Sequence, residues 1–185
     1  MIPNQSVADV LITSNLDQRP APLADHDSLR VSLTRIAKAL NKGRTALLDA
    51  ASDLALELTQ GTTAGVCVYH PRLEGDALLT EAVSGLHVDA LKYKYSALGT
   101  PGGFALQQRQ LQLFTDPGRR FGTNPGIGTP IAELLTVPMF TRDGRPFGAL
   151  WVFAQAPEVE LNKRDAAELT SIASLTMSAL DLQQR

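Results

Sequence analysis

The chain has 185 residues and a single cysteine, Cys67. No disulfide can form within it, and no zinc site built from several cysteines is available. A lone thiol fits a reducing compartment. Charge of one sign is also missing: 17 basic residues stand against 19 acidic ones, for a net charge of -2. That balance provides no general field for nucleic acid or an anionic membrane, whose recognition starts with phosphate neutralisation. There is no run of about eighteen apolar residues to span a bilayer. Met1 to Arg19 lacks the basic and apolar regions of a signal peptide. The expectation is a cytoplasmic protein with neither nucleic acid nor membrane as partner. Histidine is scarce too. His26, His70 and His87 are far apart, and none pairs at the spacing of a metal site on one helix. No catalytic serine or cysteine arrangement is suggested, so an enzyme is not expected, and the cofactor is left unknown.

What is present is an ordinary globular composition, 44% hydrophobic and 19% charged, in a length that suits one domain. Met1 to Asp27 is rich in proline and polar residues and reads as an N-terminal arm with one packed turn. Residues 28–185 read as the folded domain. Leu29, Leu33, Ile36, Ala37 and Leu40 fall on one helical stripe, as do Leu47, Ala51, Leu54, Ala55 and Leu58. Asn41-Lys42-Gly43 separates the two helices. The period then shortens: Ala64 to Tyr69, Ala77 to Val83 and Leu111 to Thr115 read as strands. Leu86 to Phe104 is less regular. Its Gly99-Thr100-Pro101-Gly102-Gly103 cluster marks a loop feeding a short helix. Leu134 to Phe140 and Phe147 to Ala154 flank Arg142-Asp143-Gly144-Arg145, a tight hairpin signal. Pro138 cannot donate a ladder hydrogen bond and marks an edge, a bulge or a strand end. A closing helix capped by Asn162 buries Leu169, Ile172, Ala173, Thr176 and Leu180. Helices at both ends of a largely antiparallel sheet make an α+β class.

Four segments in this order carry a family resemblance: Leu47 to Tyr69, Thr100 to Thr115, Leu134 to Phe153 with its Val-Pro and its Gly-led second strand, and Leu161 to Leu180. Together they resemble the GAF domain family. Leu113-Phe114-Thr115-Asp116-Pro117 and Pro130-Ile131-Ala132-Glu133-Leu134-Leu135 resemble phrases found in GAF sensor domains of bacterial histidine kinases. Relatives with Ser-Pro-Cys-Gly before the short helix differ from the Thr100-Pro101-Gly102-Gly103 found here. The resemblance implies a three-layer sandwich with a central antiparallel sheet of about six strands and the terminal helices on one side. It implies a non-catalytic sensor in two-component signal transduction. Such a domain binds an unidentified small molecule and forms a homodimer through its terminal helices. The alternative is a dimerisation module whose pocket is filled by its own side chains.

The pocket that the resemblance implies would be lined by Tyr93, Tyr95, Thr100, Phe104, Arg119, Arg120 and Phe121, with Phe114 and Trp151 closer to ordinary core. Arg119 and Arg120 could grip an anion bidentately, or serve only as a solvated turn. The helix start near Thr100 offers backbone N–H groups suited to a carboxylate or phosphate. Some relatives attach a tetrapyrrole through cysteine or bind haem through histidine. Cys67 lies between Val66 and Val68, where burial would raise its pKa and leave it inert. Family members that reduce methionine sulfoxide use several cysteines.

Overall fold

The helices set the first layer. A computed structural model describes residues 6–20, 26–71, 76–86, 94–122 and 129–183. Helix α1 (His26–Leu40) is joined by a short turn to α2 (Arg44–Leu58), with Gly43 at φ 96° supplying the left-handed link. The chain closes with α5 (Lys163–Gln183). Asn162 caps α5: its Oδ1 accepts from Arg164 N at 2.8 Å, while Asp165 Oδ2 accepts from Asn162 N at 2.8 Å. This reciprocal pair satisfies donors that a helix start leaves open. Leu169, Ile172, Ala173, Thr176 and Leu180 are all buried, as their spacing predicts.

Helix α1 departs from its expected stripe. Its buried positions are Ser28, Ser32, Ile36 and Ala39, whereas Leu29 and Leu33 remain 50% and 48% exposed. The reason is its location. α1 packs against α2 and α5, not against the sheet. Small side chains let helix axes approach, and the Ser28 hydroxyl donates to Glu168 Oε1 of α5 at 2.7 Å. Hydrophobic spacing reports a stripe, but not which neighbouring surface the helix will meet.

Six strands form one antiparallel sheet in the order β3-β2-β1-β6-β5-β4. They are β1 (Thr63–His70), β2 (Ala77–Gly85), β3 (Lys94–Ser96), β4 (Gln112–Thr115), β5 (Glu133–Phe140) and β6 (Pro146–Ala154). Alternation sends Val66, Val68, Leu135, Val137, Leu150 and Val152 into the core shared with α2 and α5. The intervening residues face the other way, with Trp151, Phe153, Leu134 and Phe114 in a second cluster. On that face lie α3 (Pro101–Gln108) and α4 (Gly118–Phe121). The sandwich of about six strands with the terminal helices on one side is therefore the observed fold. The short strand β3 and the single turn α4 carry too few residues for a periodic signal.

The β5–β6 connection is longer than the two-residue turn that Asp-Gly suggests. Gly144 N donates to Thr141 O and Thr141 N to Arg145 O, and within Arg142 to Arg145 only Gly144 has positive φ. A register shift at Met139/Phe140 absorbs the extra residue. Pro138 sits beyond the last pair between β4 and β5, Gln112 with Thr136. At that point β5 has a partner on the β6 side alone among the described strands, so a missing N–H is tolerated.

Residues 6–20 pack along β4. Val10 is fully buried, Ile12 N donates to Leu113 O, and Thr115 N donates to Val10 O. Arg19 then reaches the start of β5. Its two terminal nitrogens hold Glu133 at 2.6 and 2.8 Å, and it also donates to Leu161 O. The arm thus covers the β4 edge, which would otherwise expose unpaired backbone.

Candidate functional site: a cavity on the sheet face opposite the terminal helices

Between the sheet and the α3–α4 layer is a cavity of about 490 Å³. That is within the range of small-molecule sites, roughly 300–1,000 Å³. Its floor comes from adjacent strands through residues that share one face: Cys67, Thr80, Thr136, Trp151 and Phe153. Its roof is the start of α3, the turn from Asp116 to Gly122, and Thr129 to Ile131.

The roof is close because two glycines permit it. A Cβ on Gly103 would lie 1.4 Å from Ala97 O, so only glycine lets α3 fold back on the preceding turn. A Cβ on Gly65 would lie 2.5 Å from Trp151 Cζ2, so the bare backbone of β1 admits the indole. Trp151 stacks on Phe153, with centroids 5.5 Å apart and planes 3° apart. Phe114 meets both Phe104 and Phe121 edge-on. The result is a rigid aromatic wall.

The polar groups on this wall mostly satisfy each other. Trp151 Nε1–H donates to Cys67 Sγ at 3.1 Å, and the thiol meets the Thr80 hydroxyl at 3.4 Å. Burial pushes the Cys67 thiol pKa up, against the two hydrogen bonds that lower it. The thiol is therefore neutral near pH 7 and a poor nucleophile. Thr100 caps α3, its hydroxyl accepting from Gly103 N at 3.0 Å, and Pro101 contributes no N–H. At the mouth Arg119 pairs with Asp116 at 3.8 Å, both about half exposed. Thr136 is the exception: it is fully buried, and its hydroxyl has no hydrogen-bond partner among the described residues.

Of the residues expected to line a pocket, Thr100, Arg119 and Phe121 do so. Phe104 supports the wall from behind through Phe114. Arg120 is not among the lining residues; its guanidinium lies over the Phe121 ring at 5.7 Å. The two arginines do not converge as an anion clamp would require. Tyr95 stands opposite Leu78 in the β2–β3 register, and its side chain is outside the described set. Tyr93 and His87 lie outside the described residues, as does the His26 side chain. Phe153, Thr80 and Thr136 were not anticipated. The signal for Thr136 was available as a lone hydroxyl inside the apolar run from Leu134 to Phe140. His70 is turned to Glu81, Nε2 to Oε1 3.1 Å, away from the cavity lining. Among the described residues no cluster of histidine, cysteine and carboxylates could hold a metal ion, and no helix is long and apolar enough to cross a membrane.

An antiparallel sheet with paired terminal helices behind it and a helix-roofed cavity in front defines a three-layer α+β domain. The family model for the GAF domain matches residues 41–181, and the chain belongs to that family. No curated protein matches the chain by sequence. Solved structures with the same fold include the GAF domain of an Acinetobacter phosphoenolpyruvate-protein phosphotransferase. It is 14% identical at a TM-score of 0.66, over 87% of this chain and 97% of that one. The free methionine-R-sulfoxide reductase of Neisseria meningitidis is 16% identical at 0.65, over 90% and 97%. The chromophore-binding domain of a bacteriophytochrome from R. palustris is 14% identical at 0.66. There the match covers 85% of this chain and 61% of the other. At these identities the likeness is one of fold.

Proposed function

We propose that the chain is a non-catalytic sensor domain, binding a small molecule in the cavity and relaying its presence to the terminal helices. The observation that carries this is the 490 Å³ space with an aromatic wall and few polar groups. Family membership supports it, since GAF domains are generally regulatory. A relay would run from the roof turn at Asp116 back into β4, through the arm bonded to Leu113 and Thr115, and on to the start of α5, where Arg19 donates to Leu161 O and Lys163 to Asp17. The ligand need only prefer one arrangement of the roof to shift the population. The resemblance of the phrases around Leu113 and Pro130 to sensor domains of histidine kinases supports a cytoplasmic two-component role under this reading. Native mass spectrometry of the purified protein tests it: an added mass of a few hundred daltons supports the sensor. Failure of any compound in a fragment screen to move the single Trp151 signal sinks it.

A second reading has its own observation. Leu29 and Leu33 of α1 and Leu182 of α5 are about half exposed. Two copies could cover them as a helical bundle, the homodimer suggested by the terminal helices. The double substitution Leu29→Glu with Leu33→Glu would then yield monomers of unchanged thermal stability. A dimer that survives it rules out this face.

A further inference from the structure

Resting on the sensor reading, we propose that the cavity selects an uncharged, flat, largely apolar molecule with one polar group, which hydrogen-bonds the Thr136 hydroxyl. Three observations converge. Thr136 lines the cavity, is fully buried, and has an unpartnered hydroxyl among the described residues. Buried polar atoms are rarely left so, because an unmade hydrogen bond costs more than a made one returns. Thr136 stands opposite Trp151 in the β5–β6 register, on the face that carries the cavity floor. A ring lying on the stacked Trp151–Phe153 wall therefore has Thr136 beside it.

Charge provides the second argument. The other polar side chains that line the space are already engaged. Cys67, Thr80 and Trp151 Nε1 form one chain of contacts, and Thr100 is committed to Gly103 N. Arg119 faces Asp116, so the mouth offers a balanced pair rather than a field of one sign. A charged ligand would be desolvated without a free counter-charge among the lining residues described, which is costly. A neutral ring with a hydroxyl or carbonyl loses little water and meets the one unmatched polar side chain among the lining residues described. Shape supplies the third argument, because aromatic walls held face to face and edge to face favour a planar body.

The chain holds one tryptophan, so 15N-labelled protein shows a single indole N–H signal, and that signal reports the cavity. Three probes of nearly equal shape separate the alternatives at pH 7: 2-naphthol, naphthalene and 2-naphthoate. The expected order is naphthol tightest, with naphthalene and naphthoate each weaker by about tenfold, the scale of one hydrogen bond. Thr136→Val keeps the side-chain shape and should remove the naphthol advantage while leaving naphthalene binding unchanged. Thr136→Ser should retain it. Naphthoate binding tightest, or naphthol binding indifferent to Thr136→Val, overturns the proposal and leaves the sensor reading standing. No response to any of the three probes overturns both.

Discussion

Replacing Arg19 by alanine tests whether the N-terminal segment is integral to the domain. Arg19 and Glu133 are 114 residues apart in sequence, and their side chains are only 11% and 10% exposed. Both carboxylate oxygens are held by the guanidinium, and Leu161 N–H donates to Glu133 Oε2 at 2.9 Å. The hydrogen bond to Glu133 holds the Arg19 pKa above its ordinary value, against desolvation. Arg19→Ala leaves Glu133 buried with its Leu161 contact as the named remaining donor. Breaking one side of a buried pair costs about 3–5 kcal/mol. The remaining exposure of both side chains argues for the lower end, about 3 kcal/mol. For a chain of this length that corresponds to a fall in Tm of roughly 6–12 °C. Urea denaturation of the wild type, Arg19→Ala, Glu133→Gln and the double variant gives the coupling directly. A loss below about 1 kcal/mol for Arg19→Ala would refute the clamp, because it would match an exposed ion pair. Arg19→Lys should recover only part of the loss, since an ammonium cannot reproduce the two-pronged contact.

Other expectations follow from the same geometry. Gly65→Ala should cost about 1–3 kcal/mol and shift the Trp151 indole signal, because the added methyl meets both the indole and Ala82 O at 2.6 Å; a silent substitution would show that β1 and Trp151 are not in contact. At Glu81, burial raises the pKa but hydrogen bonds from Arg44 and His70 outweigh it, leaving it below the ordinary 4.5. A depressed carboxylate stabilises above its unfolded pKa and loses that contribution as pH falls through the folded value. Glu81→Gln should therefore cost about 0.5–1 kcal/mol at pH 7 and nothing well below pH 4, as equal melting temperatures there would show. The Cys67 pKa is raised, so its linkage runs the other way: its contribution holds below the ordinary thiol pKa and is lost as pH rises through the folded one. Iodoacetamide at pH 7 should label native Cys67 far more slowly than the unfolded chain; equal rates would contradict a buried neutral thiol.

The sequence by itself determined the class of fold. Period-2 runs such as Leu134 to Phe140 and the stripe from Leu169 to Leu180 are local consequences of strand and helix geometry, and both elements appear where they were expected. The Asn162–Asp165 cap was legible for the same reason, since its partners are three residues apart. Positions decided by long-range packing were not. Leu29 and Leu33 obey a helical spacing, yet they face outward because α1 packs through its own small side chains on α2 and α5 instead of on the sheet. Arg19 finds Glu133 only when the arm lies along β4. Arg119 lines the cavity and Arg120 does not, a difference of one residue on a single turn that spacing cannot resolve. Thr136 shows the same limit at the site itself. Its hydroxyl can be read from the chain, but its lack of a partner depends on strands β4, β5 and β6 and on the cavity they floor. Periodicity encodes which face a residue takes within its element, and tertiary structure decides what that face meets.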